Sequence, residues 1–269
     1  MYQAPASLSS YDPDGTRPSP VPIDLLDGLF CPKLNQFRRE LGLASVTHVC
    51  DRWMHSPHQG IALFPDWFAG QPSLPDHVLA AGSPFFDQTP DATTTSRFEA
   101  FLASGPRPVV FVCGSEERHA ASFFTTSVMA CIAAKRRAIQ LTRRRDQIPA
   151  ILPASILHLE YVPLEHLLPR SALLVHHGGI GTCAQALRAG IPQLITPSAF
   201  DQSDNAARVV SLGVGLSVKR SMYSVVALVR LLSLLAQDAG IRERCASIAQ
   251  RLKGMNAVER ICRFVETLS

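Results

Sequence analysis

From residue 107 onward, short apolar runs alternate with stretches whose apolar positions recur every three or four residues. RPVVFVCGS (107–115), AIQLT (138–142), SILHLEYVP (155–163), SALLVHHGG (171–179) and PQLITP (192–197) have strand length and little internal polarity. Between and after them, ASFFTTSVMACIAAKRRA (121–138), GTCAQALRAG (181–190) and DQSDNAARVVSLG (201–213) repeat at helical spacing, with Gly190 and Gly213 as stops for the last two. Three more helices are predicted near 223–237, 240–253 and 256–268. Apolar strands alternating with helices predict an α/β fold: a parallel sheet covered by helices on both faces. Ligands of such sheets sit at the carboxyl ends of the strands.

Residues 1–90 show little of this order. SSYDPDGTRPSPVP (9–22) is turn and extended chain by its Pro, Gly and Asp content, and PKLNQFRRELGL (32–43) places Leu34, Phe37 and Leu41 at helical spacing before Gly42. GIALFPDWF (60–68) suits a short strand and a proline turn, and SPFFDQTPDATTTS (83–96) reads as a linker. The pattern divides the chain into a poorly regular part, 1–90, and an α/β domain, 91–269. The early part shows no core of its own and is expected to pack poorly or to self-associate.

Composition narrows the classes. Of 269 residues 46% are hydrophobic and 18% charged, ample for a packed core. The net charge of +4 is too small for a nucleic-acid binder, but it is divided: residues 1–90 carry 5 basic and 9 acidic side chains, residues 91–269 carry 21 and 13. The second part therefore favours an anionic ligand. KRR (135–137) and RRR (143–145) read as solvated ends of a helix and a loop. Seven cysteines without a C-x-x-C pair point to reduced, buried thiols and a cytoplasmic protein. No secretion signal is evident, and VVALVRLLSLLA (225–236) is too short to span a bilayer.

The chemistry concentrates in ALLVHHGGIGTCAQALRAGIPQL (172–194), where a buried strand meets a helix through a polar, glycine-lined corner. The first amides of a helix lack intrahelical acceptors, and the helix dipole adds partial positive charge there. Gly178, Gly179 and Gly181 remove the side chains that would hold a phosphate away, Thr182 adds a hydroxyl, and His177 adds a ring N–H at the strand end. The set forms a cradle for a diphosphate. His176 points to the opposite face of the strand and is expected to be buried against the sheet. GIGTCA (179–184) also fits the dinucleotide fingerprint G-x-G-x-x-A, with Asp201 about twenty residues on, so an NAD-type oxidoreductase stays open. Against it, the fingerprint follows a fourth strand rather than a first, and Asp201 sits beyond Pro197 beside Gln202.

YVPLEHLLPRSALLVHHGGIGTCAQALRAGIPQLITPSAFDQSDNAARVVSLGVG (161–215) resembles the donor-binding signature of family 1 glycosyltransferases with the GT-B fold, most of all bacterial members of the rhamnosyltransferase type. PVVFVCGS and QLTRRRDQIPA resemble that family's first donor-domain strand and an L-T-R segment. YDPDGTRP, LNQFRRELGL, LFPDWFAGQPSLPDHV and GSPFFD resemble its late acceptor domain and interdomain linker.

The resemblance implies a Rossmann-like donor half of a GT-B fold and a sugar transfer from a UDP- or dTDP-type nucleotide sugar to a small-molecule or lipid hydroxyl. No cofactor or metal is implied. It places the donor diphosphate at His177 and Thr182, with the amides near Gly179 and Gly181. Tyr161 and Val162 would lie along the base, Val162 through its backbone. Gln185 would face the ribose where many relatives carry Glu, and Asp201 and Gln202 would hold sugar hydroxyls. Gly114 and Ser115 would line the cleft, and Arg143 is a further candidate for a phosphate.

The family's acceptor domain comes first in the chain and carries its general-base histidine. On the order of 100–150 residues, one domain's worth, has no counterpart here. His119, near the Gly-Ser corner, is the only nearby stand-in and reads as a solvated loop residue. Three readings follow: a donor half that works with a separate acceptor chain or within a longer product, a nucleotide-sugar binding module, or the oxidoreductase.

Overall fold

The computed structural model describes residues 23–69, 74–88, 92–114 and 120–268. Ser115, His119 and the YDPDGTRP segment lie outside the described residues. The chain forms two compact units. One takes the residues through Pro84, Ala199–Asp204 and the chain from Asn256; the other comprises Phe85–Ser198 and Asn205–Met255.

The first unit is more regular than its sequence pattern suggests. Its helix α1 runs Ile23–Glu40, starting well before the apolar spacing of residues 34–41 and continuing through Pro32. A single turn of π-helix, Val49–Trp53, follows. Asp27 ties this turn to α1, because its carboxylate accepts the amides of His48 (2.7 Å) and Val49 (3.1 Å). Those amides, His48 first, hold the Asp27 carboxyl below its usual range. Asn35 pairs with both backbone groups of Val46, at 2.7 and 2.8 Å. β1 (Gly60–Ala62), α2 (Asp66–Ala69) and β2 (Val78–Ala80) complete the early part, with β1 and β2 parallel. Much of α1 stays apolar and open: Leu29 is 66% exposed and Phe37 58%.

The second unit opens with α3 (Ala92–Ala103), which replaces the last part of the expected linker. Phe98 and Phe101 are buried, and an Arg170–Glu99 pair at 2.5 and 2.9 Å borders the helix. Then come β3 (Val109–Val112), α4 (Ala121–Ala133), β4 (Ala138–Leu141), β5 (Ile156–Leu159), α5 (Leu164–Leu167), β6 (Leu173–His176), α6 (Ile180–Ala189), β7 (Gln193–Ile195), α7 (Gln202–Ser211), β8 (Gly215–Ser217), α8 (Val225–Gln237) and α9 (Ala239–Leu252). The last helix, α10 (Ala257–Glu266), groups with the first unit and is capped by Asn256, whose Oδ1 accepts the Glu259 amide.

Strands β3 to β8 form one parallel sheet in the order β5-β4-β3-β6-β7-β8. Successive strand residues point to opposite faces, and every residue of β4 and β6 is buried, so both faces are covered. α4 packs on α8, and α6 packs on α9. The chain proceeds outward from β3 to β5, then returns to the other side of β3 as β6. This is the doubly wound order, and folds of this order take their ligands at the reversal, here the carboxyl ends of β3 and β6. β3 and β6 pair in register from Val109↔Leu173 to Val112↔His176, which brings Gly114 and His177 to the same point.

Gly190 ends α6 at φ 68°, a left-handed conformation, and a Cβ there would lie 3.1 Å from the Ala249 Cβ of α9. Gly190→Ala is therefore expected to destabilise the protein by about 1–2 kcal/mol. Urea unfolding with unchanged midpoint and slope would contradict this.

Candidate functional site

The corner between β6 and α6 is built around three glycines with different duties. Gly178 has φ 98°, open to glycine and strained for other residues. Gly179, the N-cap, has an ordinary φ of −60°. Its missing Cβ matters because the His177 ring occupies that space: a Cβ on Gly179 would fall 2.6 Å from His177 Nε2. Gly114, at the end of β3, supports the ring from another side, with a notional Cβ 3.5 Å from His177 Cδ2. A Cβ on Gly181 would meet nothing within 4 Å, so the first turn of α6 is open there.

α6 has no side-chain cap, and its first intrahelical bond runs from Cys183 N to Gly179 O at 3.0 Å. Its preceding amides thus face the open side with the helix dipole behind them. Thr182 is half-buried in this turn. Gln185 lies four residues after Gly181 on the same helix face, with a buried Oε1 that has no hydrogen-bond partner among the described residues.

His176 and His177 go separate ways, with ring planes at 89°. His176 is fully buried, as its strand position implies. Its Nδ1 accepts the Gly178 amide at 3.1 Å, and its Nε2 lies 3.0 Å from Gln193 Oε1. Burial foremost, then the neighbouring His177, pushes its pKa from 6.5 down to about 3, so the ring is neutral. Asn205 of α7 donates from Nδ2 to the Gly178 carbonyl at 2.9 Å. Gln193 and Asn205 were not anticipated as parts of the corner. The available signal was a Gln in an otherwise apolar strand, which needs a buried partner.

The other expected residues lie elsewhere around the same sheet edge or outside it. Tyr161 follows β5, is 44% exposed, and donates its hydroxyl to Gln88 Oε1. The Arg143 guanidinium stands 5.3 Å from the Tyr161 ring centroid, a cation–π distance. Val162 puts its side chain into the core cluster beside Leu159 and Leu167. An Asp87–Arg188 pair at 2.5 and 2.7 Å joins the 85–88 segment to α6 and holds the Asp87 carboxyl below its ordinary range. Asp201 and Gln202 belong to the short segment grouped with the first unit. There Gln202 Oε1 accepts the Ala199 amide at 3.1 Å.

A family model described as "Erythromycin biosynthesis protein CIII-like, C-terminal domain" matches residues 128–261. Residues 128–261 are thus similar to this family's C-terminal domain. The EryCIII-like match takes in β6, the whole corner and α7.

A dTDP-epi-vancosaminyltransferase of Amycolatopsis orientalis is 31% identical over 199 residues, covering 71% of this chain and 49% of that protein. An aklavinone 7-beta-L-rhodosaminyltransferase of Streptomyces galilaeus is 30% identical over 209 residues, covering 75% and 41%. The chain spans about half the length of the curated relatives it matches. Among solved structures, the glycosyltransferase of kitacinnamycin superimposes with a TM-score of 0.71 at 18% identity, covering 91% of this chain and 64% of that one. The spinosyn forosaminyltransferase gives 0.66 at 21%, covering 96% and 64%.

These likenesses show the GT-B type of fold, and the relatives support glycosyl transfer over both the oxidoreductase reading and the binding-module reading. In each of those two relatives the matched part belongs to one longer chain, which gives no support to a separate acceptor chain. Among the described residues, no helix is long and apolar enough to cross a membrane, and no three His, Cys, Asp or Glu side chains gather to hold a metal.

Gly179→Ala should cost stability in the parent but far less in His177→Ala, giving a coupling of about 1 kcal/mol or more in a double-mutant cycle of unfolding free energies; additive effects would contradict the ring placement. The unfolded His176 takes up a proton that the folded ring refuses between pH 6.5 and about 3. Its contribution is therefore complete above pH 6.5 and is lost as pH falls toward 3, at up to about 1.4 kcal/mol per pH unit. Unfolding curves should show this slope in the parent and a shallower one in His176→Gln; parallel slopes would contradict it.

Proposed function

We propose that the EryCIII-like domain of this chain binds a nucleoside-diphosphate sugar and serves transfer of its sugar to the hydroxyl of a small-molecule or lipid acceptor. The observation that carries the reading is the corner itself: His177 laid over Gly114 and Gly179, beside an uncapped first turn left open at Gly181.

In the reaction, the bond between the anomeric carbon and the diphosphate breaks and a bond to the acceptor oxygen forms. The acceptor proton leaves to a base, and the nucleoside diphosphate departs with its electron pair. Negative charge grows on the diphosphate along this path. A His177 N–H, the Thr182 hydroxyl and the amides around Gly179 and Gly181 meet that charge in fixed positions, so they stabilise the transition state more than the bound donor. Gly178 contributes its backbone turn, Gly114 lines the approach from β3, and Ser115 is assigned to the cleft on its sequence position alone. This chemistry asks for no cofactor or metal.

Tyr161 and the Val162 backbone are assigned to the base, with Arg143 a candidate for a phosphate. Gln185 is assigned to the ribose. Its buried, unpartnered Oε1 favours a donor hydroxyl, which a ribose supplies. Asp201 and Gln202 are assigned to sugar hydroxyls on the DQSDN pattern alone. A dTDP-sugar is favoured over a UDP-sugar by the name of the Amycolatopsis relative.

Calorimetric titration should show binding of dTDP or UDP and none of NADH; binding of NADH alone would overturn the reading. His177→Ala should weaken the nucleoside diphosphate by about 1.5–3 kcal/mol, the range for hydrogen bonds to charged groups. Gly181→Ala should fold as well as the parent or better, since Ala exceeds Gly in helix propensity by about 1 kcal/mol, yet bind the diphosphate more weakly. Full affinity in Gly181→Ala would move the ligand away from α6.

A further inference from the structure

His176 is the histidine that the donor contacts leave unused. It is fully enclosed, yet both ring nitrogens are engaged. An amide N–H only donates, so the nitrogen facing Gly178 is the bare acceptor, and the neutral ring carries its proton on Nε2. That proton is directed at Gln193 Oε1, 3.0 Å away. Gln193 turns its Nε2 toward the Cys183 carbonyl, 3.5 Å away in the first turn of α6. From the other side, Asn205 Nδ2 holds the Gly178 carbonyl at 2.9 Å.

Gly178 thus has its N–H held from β6 and its C=O held from α7. It is also the residue whose left-handed φ of 98° turns the chain out of the strand. The residue before it is His177 and the residue after it is the N-cap of α6. Any rotation of the peptide planes at Gly178 would swing the imidazole and the first helical amides away from each other.

We infer that His176, backed by Gln193 and together with Asn205, is a positioning residue for donor binding: it clamps Gly178 so that His177 and the α6 amides converge on one diphosphate. This rests on the diphosphate reading above. A histidine that merely filled the core would show its loss in stability alone. A positioning histidine shows it in affinity at constant fold, and it shows which of its nitrogens matters.

Two substitutions separate those nitrogens. In His176→Asn the amide oxygen takes roughly the place of Nδ1 and can still accept the Gly178 amide. In His176→Gln the longer amide takes roughly the place of Nε2, keeping the Gln193 contact and abandoning Gly178. Each variant, the parent and Asn205→Ala would be titrated with dTDP, UDP and inorganic pyrophosphate, with thermal unfolding recorded alongside.

The parent is expected to bind a nucleoside diphosphate. His176→Asn should stay within about threefold of it, and His176→Gln and Asn205→Ala should weaken by about tenfold or more, with the same ordering for pyrophosphate. Equal affinities for His176→Asn and His176→Gln, whether both retained or both lost, would overturn the clamp while leaving the diphosphate reading intact. Should the histidine variants fail to fold, an Asn205→Ala that folds and keeps parental affinity overturns the clamp, and one that loses tenfold supports it. A parent that binds none of the three probes overturns the diphosphate reading and the clamp with it.

Discussion

The parallel pairing of β3 with β6 is the constraint on which the rest of the corner depends. Because the chain reverses its direction of growth between these strands, their carboxyl ends are where folds of this order receive ligands. The register that sets Val112 opposite His176 then delivers Gly114 beside His177. An imidazole needs room, and the missing Cβ of Gly179 provides it, while Gly114 lies against the ring at ordinary contact distance. The glycines thus serve the ring and the backbone turn as much as they serve any ligand.

Electrostatics and packing act together here. The same burial that covers both faces of the sheet makes His176 a neutral, direction-specific hydrogen-bonding group rather than a charge. With His176 held neutral, it is His177 that the proposed function sets against the anionic donor. The basic excess of residues 91–269 agrees with that polarity at longer range. Other buried groups are set aside from chemistry: burial raises the Cys131 and Cys245 thiols to about 12, which keeps them protonated and inert.

The sheet was legible because its strands are short, apolar and separated by helical spacing, and the helix stops at Gly190 and Gly213 carried a mechanism. The β8 strand escaped notice since Gly215–Ser217 is three residues long and contains no apolar run. α3 was taken for a linker over its first residues because Ala92–Ser96 is Thr-rich, and only the Phe98–Phe101 spacing further on marks a helix. The helical spacing was legible only from Pro32 onward, since proline ordinarily stands at a helix start and not inside it, whereas Ile23–Glu40 continues through it. At the corner, residue types and spacing pointed to His177 and the glycines as candidates, and the structure brings His177, Gly114 and Gly179 together. The partners of His176 were not readable, because Gln193 and Asn205 reach Gly178 and His176 only through the strand order and the placement of α7.

A crystal structure with dTDP or UDP bound tests the central claim most directly. The diphosphate oxygens are expected within hydrogen-bonding distance of the His177 ring and of the backbone amides at the start of α6, with Gly181 facing the phosphate. Density for the nucleotide elsewhere, or protein atoms filling the space beside Gly181 while the ligand is bound, would contradict the account.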